Sequence, residues 1–291
     1  MKDLIKIVFM FTVVLLVYAF RENIIFMIYD KVIYRKEVLS YNEYYSSNDY
    51  AFFQNTDVEE VKDKQELLNV LYTTVNSGDD LYSFYCKYDK CTDDVKEMLN
   101  DKDFLPLINN FVHPYNSFET INVNITAYDR ITVMTKKVYS EAEIEVINNY
   151  IEDYIKNNIN DSMSDYDKIK AFHDHIITLY SYDEDKGYKS YSAYTMITQG
   201  KAICGGYSDL MAIYLNRLGI KNYKISSNTH IWNFVYLNGK WYHLDATWDD
   251  PVASDGKSHL LHNFFMISTK ELHNLDGKEH SFDLNIYKEA Q

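Results

Sequence analysis

The chain has 291 residues, 46% of them hydrophobic and 25% charged, with a formal net charge of −14. The apolar share is ample for a packed core and excludes bulk disorder; the length admits one large domain or two modest ones. The acidic balance, with no basic patch interleaved with aromatics, argues against a nucleic-acid partner, and the 28 tyrosines carry no functional reading of their own.

Charged residues up to Lys6 precede an uncharged run, Ile7 to Phe20. That is the pattern of a secretory signal, with Val17-Tyr18-Ala19 as the cleavage site, or of an uncleaved anchor extended by Ile24 to Tyr29. Residues 1–30 are therefore expected to be a signal peptide or membrane anchor, with a buried N-terminal helix as the third reading. The body of the protein is expected outside the cytoplasm, membrane-anchored or secreted. Lys2 and Lys6 precede the run while Arg21, Lys31, Arg35 and Lys36 follow it, so charge leaves orientation open.

Residues 31–57 are polar and tyrosine-rich and read as a stem. Leu67, Leu68, Leu71, Tyr72 and Val75 predict a helix over Lys64–Asn76, closed at Gly78. Leu81–Tyr85 reads as a strand. A helix over Thr92–Leu99 with Thr92 as N-cap follows, then one around Pro106, a turn at His113–Asn116, and a hairpin of Thr120–Tyr128 and Ile131–Val138. Cys86 and Cys91 are spaced for a short-loop disulfide, which persists only in an oxidising compartment; a zinc half-site lacks a second pair of ligands, and two free thiols remain possible. Residues 31–139 thus form a small α/β accessory region without visible chemistry.

A second region, 140–291, opens with two capping patterns, Ser140-x-x-Glu143 and Ser164-x-x-Asp167, each before an amphipathic helix. His173 and His175 on the second helix point about 200° apart and cannot share an ion. Tyr207, Leu210, Met211, Tyr214, Leu215 and Leu218 form a helical stripe ended by Gly219. Cys204 therefore sits at a helix start, where free amides and the macrodipole favour thiolate over thiol, and Gly205-Gly206 would let a substrate reach the sulfur. With Cys86 and Cys91 paired, Cys204 is also the odd cysteine.

Asn238-Gly239 between two alternating runs predicts a two-residue hairpin turn. In that register Leu237 faces Lys240, Trp232 faces Asp245 and His230 faces Thr247. His230 and Asp245 then share one face as diagonal neighbours, and Ile231, Val235, Leu237, Tyr242, Leu244 and Ala246 form the core face opposite. An imidazole oriented by a carboxylate and aimed at a helix-terminal thiol is the arrangement for nucleophilic catalysis. Cys204, His230 and Asp245 are the candidate catalytic residues. The Cys204 amide is one oxyanion donor, with Tyr194 and Gln199 as candidates for a second. The bland alternatives are a buried filler cysteine, a structural histidine and an aspartate that bonds a turn.

The same residues resemble the transglutaminase-like superfamily, whose core is similar to papain-type thiol enzymes. The matching blocks are Gly200-Lys201-Ala202-Ile203-Cys204-Gly205-Gly206-Tyr207, Leu218-Gly219-Ile220, His230-Ile231-Trp232-Asn233, and Trp241 through Pro251. Asn263-Phe264-Phe265-Met266 and His280 resemble a closing segment. Ile231, where an alanine is common after the histidine, and the looser helix start made by Gly206 are departures that remove no catalytic atom. The resemblance implies an α+β fold, with the nucleophile's helix packed on an antiparallel sheet. It implies attack on protein or peptide amides by acyl transfer or hydrolysis, with no cofactor or metal. A papain-type protease and an inactive binding module are the alternatives.

Overall fold

The computed structural model describes residues 2–28, 38–101, 104–126, 129–250 and 260–291. Two helices come first, α1 (Lys2–Ala19) and α2 (Arg21–Ile28). Apolar side chains of α1, Phe9, Phe11 and Leu15 among them, are exposed, so it is not a buried helix. Among the described residues no helix is long and apolar enough to cross a membrane. The expectation of a spanning anchor or signal in residues 1–30 thus gains no support from the helices, and Lys31, Arg35 and Lys36 lie outside the described residues.

Residues 38–57, the described part of the expected irregular stem, have little regular structure but pack against the fold. Phe53 is fully buried and stacks on Tyr72 with ring centroids 5.1 Å apart. Asn42 exchanges side-chain bonds with Asn116 at 2.7 and 3.1 Å, and its N–H donates to the Ser77 carbonyl at 2.9 Å. Short carboxamides here do the work of a ladder, which polar composition alone does not reveal.

The next elements are β1 (Glu60–Val61), α3 (Lys64–Ser77), β2 (Leu81–Cys86), α4 (Cys91–Asn100), α5 (Phe104–Phe111), a 3₁₀ turn (Pro114–Asn116), β3 (Phe118–Ile125) and β4 (Arg130–Lys137). They give a sheet of order β1-β2-β4-β3, parallel only between β1 and β2. Asp63 caps α3 and Gly78, at φ 83°, ends it. Helix α4 starts at Cys91, so Thr92 is not the N-cap: the Cys86–Cys91 disulfide and the Cys91 N–H bond to the Tyr88 carbonyl fix the first turn one residue earlier.

From residue 140 the chain forms α6 (Glu141–Asn158), α7 (Asp165–Leu179), β5 (Ser181–Tyr182), α8 (Ala193–Gln199), β6 (Lys201–Ala202), α9 (Cys204–Arg217), β7 (Asn222–Ser226), β8 (Ile231–Leu237), β9 (Lys240–Leu244), β10 (Phe265–Ile267) and α10 (Thr269–Asp276). Ser140 and Glu143 form a complete capping box on α6, and Ser164 caps α7. The second sheet is antiparallel in the order β10-β9-β8-β7, and β5 pairs in parallel with β6.

The β8–β9 register is the expected one, Leu237 facing Lys240, with Asn238 at φ 50° and Gly239 at φ 84° in a tight turn. The ladder stops at Asn233 facing Leu244, so the projected pairs Trp232–Asp245 and His230–Thr247 do not form. The Asp245 N–H instead donates to the Phe264 carbonyl at 2.9 Å. A second correction concerns the sheet's faces. Val235, Leu237 and Leu244 pack with α9, as expected, but the other face is buried too. Trp232 and Phe234 join Phe53, Phe84 and Phe111 in one cluster spanning both sides of residue 139. The face carrying His230 and Asp245 therefore abuts a second core.

Candidate active site

Helix α9 begins at Cys204, preceded by Ile203 in extended conformation with no side-chain cap. The first amides of a helix have no intrahelical carbonyl to bond, so the sulfur sits among outward-facing N–H groups. The two glycines behind it serve packing. A Cβ on Gly206 would lie 2.6 Å from the Ala202 Cβ and 3.1 Å from the Ser192 carbonyl oxygen; one on Gly205 would lie 2.9 Å from the Tyr191 carbonyl oxygen. The space expected to admit substrate is thus filled by residues 190–192 and 202, although Gly205 still borders the cavity beside Cys204. Gly206→Ala is expected to cost about 1–3 kcal/mol by overpacking, read as a lower urea midpoint at unchanged slope.

His230 and Asp245 project from the ends of β8 and β9, just past the ladder, and are 8% and 1% exposed. His230 Nε2 bonds Asp245 Oδ2. Cys204 lies beside the ring, close enough to contribute to the His230 pKa, and both residues border one cavity. Burial alone would lower the His230 pKa, but the charge and hydrogen bond of Asp245, with Cys204 beside the ring, outweigh it and raise it from 6.5 to about 10. Burial likewise opposes ionisation of Asp245, yet His230 and His280 hold its carboxyl well below the usual range.

Every acceptor position on Asp245 is used. Oδ1 accepts the Thr247 and Trp248 amides at 2.9 and 3.2 Å, and Oδ2 accepts His280 Nε2 at 2.9 Å as well as His230. His280 is fully buried and its Nδ1 lies 3.0 Å from Asp276 Oδ2. The sequence offered His280 only as part of a closing segment. Its place beside Asp245 depends on how the chain returns after α10, and no local pattern encodes that.

Tyr194 and Gln199 do not line this cavity: Tyr194 packs on the core cluster that includes Tyr207, and Gln199 is exposed. Tyr182, on β5, is nearer the chemistry. Burial raises its pKa first, and the charges of Cys204 and Asp183 raise it further, although the phenol does not line the cavity. A two-residue strand gave no sequence signal for it. Cys86 and Cys91 are disulfide-bonded and Cys204 is free.

His173 and His175 diverge as expected. His173 Nε2 bonds Asp249 at 3.2 Å, and His175 Nε2 bonds the Tyr150 hydroxyl at 2.7 Å. Folding does bring His262 to His173 and Asp174, but the Lys170 ammonium already bonds Asp174 at 2.6 Å and His262 at 2.9 Å. The cluster therefore contains a cation of the chain's own.

Residues 152–246 match the family model described as the transglutaminase-like superfamily, a stretch that includes Cys204, His230 and Asp245. No curated protein matches the chain. Among solved structures, a crystal structure described as a TGase aligns at 17% identity and a TM-score of 0.31, covering 57% of this chain and 50% of that one. A candidate cysteine protease from Cytophaga hutchinsonii aligns at 15% identity and a TM-score of 0.30, covering 44% of this chain and 61% of that one. Both alignments span less than two thirds of the solved chain. The α+β core foreseen from the resemblance, with the cysteine's helix on an antiparallel sheet, is the one observed.

Proposed function

We propose that this chain is a thiol enzyme that cleaves or exchanges amide bonds of proteins or peptides through Cys204, His230 and Asp245. The observation that carries the reading is the buried His230 ring, bonded to Asp245 and bordering the same cavity as Cys204 at the start of α9. Cys204 Sγ attacks the carbonyl carbon. As the C–N bond breaks, imidazolium passes its Nδ1 proton to the departing amine. Water or a second amine then attacks the thioester, returns a proton to Nδ1 and expels the sulfur as thiolate. Asp245 keeps the ring oriented and stabilises its charge throughout. The helix-start amides at Cys204 and Gly205, both on the cavity, are the natural donors to the oxyanion.

Acyl transfer and hydrolysis share every step up to the thioester, so the acceptor decides between a transglutaminase-type enzyme and a cysteine protease. A peptide substrate offered with a labelled primary amine separates the two. Label incorporated into product marks transfer, and cleavage without incorporation marks a protease. A thiol-directed probe with mapping of the modified residue tests the shared premise: Cys204 is the residue expected to be labelled, and His230→Ala is expected to slow labelling. An unreactive Cys204 in the folded protein would instead leave an inert binding module.

The Cys86–Cys91 disulfide supports a location outside the cytoplasm, where such bonds persist. A pH dependence of stability follows from His230. Its folded pKa lies above the ordinary 6.5, so charging it stabilises the fold fully below about pH 6.5. That increment is lost as pH climbs toward about 10. The difference in unfolding midpoint between wild type and His230→Gln is expected to shrink over this window; a constant difference would contradict it.

A further inference from the structure

A cavity of about 810 Å³ opens at Cys204 and His230 and extends into the region before residue 139. That volume holds several residues of chain, well beyond a single side chain. On one side are the start of α9 and the ends of β7 and β8. On the other are Leu105 and Pro106 of α5 and the beginning of β3. Every residue from Ser117 to Ile121 borders it. Five consecutive residues bordering one cavity, across a bulge between Phe118 and Thr120, place it along the strand's edge and not over a single face.

That edge is open. β3 is an outer strand of its sheet, bonded among the described strands to β4 alone, so backbone N–H and C=O groups face away from the ladder, their alternation shifted by a bulge between Phe118 and Thr120. At Phe118 the outward groups are taken by a side chain. The Asn109 carboxamide donates to the Phe118 carbonyl at 2.9 Å and accepts from its N–H at 3.0 Å, imitating a neighbouring strand for one residue. Asn109 also borders the cavity, which fixes the side on which the edge lies. Beyond it Thr120 and Ile121 continue along the same wall. Leu105, Pro106 and Ile121 make that wall apolar, and the buried Lys224 and Asp209 that also line the cavity are paired with each other.

We propose that the acyl donor is an extended peptide that adds to the free edge of β3 as a further strand. Its carbonyl is carried to Cys204, and an apolar side chain near the attacked amide rests on Leu105, Pro106 and Ile121. The proposal builds on the assignment of Cys204 as nucleophile and makes the region before residue 139 half of the substrate site. Strand addition gives affinity through main-chain bonds that ignore sequence, while the apolar wall selects the neighbouring side chain.

The test uses the full chain and two reagents. One is iodoacetamide, which needs no groove. The other is a short uncharged peptide with an apolar side chain, ended by a vinyl sulfone that captures the thiol. Leu105→Glu and Ile121→Lys are each expected to slow capture by the peptide at least about ten-fold, with alkylation by iodoacetamide unchanged. Methylating a backbone nitrogen of the peptide is expected to slow capture by wild-type protein similarly at one or more positions, a result that needs no variant to fold. Tolerance of N-methylation at every position, or of both substitutions, overturns the proposal while leaving the nucleophile intact. Failure of both reagents to label Cys204 removes the nucleophile and the proposal together.

Discussion

Cys204→Ser is expected to reduce amide turnover by a factor of about 10³ or more while leaving the fold intact. Serine is nearly isosteric, and Cys204 is only partly buried, so little packing is lost. The change falls on the chemistry. His230 sits beside the sulfur as the proton carrier, and a hydroxyl at that position stays protonated and attacks poorly. Loss of a nucleophile from such a constellation removes most of the acceleration, and the remainder comes from binding and oxyanion donors. Turnover of a peptide amide, measured beside the unfolding midpoint, checks both halves. Full turnover by the serine variant would refute the assignment.

Asp245→Ala carries the second large effect, and it is expected in stability as well as rate. The carboxylate accepts two imidazoles and two backbone amides within a fully buried volume. Its removal strips His230 of its charge partner and leaves the His280 Nε2 and two amides without their acceptor. Deleting one partner of a buried pair costs about 3–5 kcal/mol. Asp245→Asn keeps shape and some bonds, so it is expected to fold better than the alanine variant yet still lose rate. An asparagine cannot oppose the imidazolium charge and offers an N–H where two imidazoles need an acceptor. A urea titration of the three proteins orders them wild type, then Asn, then Ala; an alanine variant as stable as wild type would contradict the network described.

How far the sequence reveals this site depends on the range of each interaction. The hairpin was legible because Asn238-Gly239 specifies a turn that two flanking runs obey, and the register follows by counting. The helix start at Cys204 was legible from the stripe behind it. The meeting of Cys204 with His230 rested on chain order and resemblance, and the coordinates put both on one cavity. Alternation misled where it treated the His230 face as the outer one. Period-two patterning tells two faces apart but does not say that a distant segment covers the second. Trp232 and Phe234 on that face were the available hint. Tyr182, His280 and Asp276 were invisible as site residues, because their positions follow from long-range chain return with no local signature. The same holds for residues 38–57, where asparagines that read as solvated loop bond α3 and the turn after α5.

Asp245 waits for a residue thirty-five positions downstream before its second imidazole arrives. A nascent chain on the ribosome exposes Cys204, then His230, then Asp245, and these can approach one another while His280 is still in the exit tunnel. Until then the carboxylate lacks one of its ligands and the Phe264 carbonyl that steadies its backbone is only newly emerged. The order of synthesis thus makes Asp245 the last-completed member of the proposed triad, its full set of partners present only once the segment after α10 has folded back.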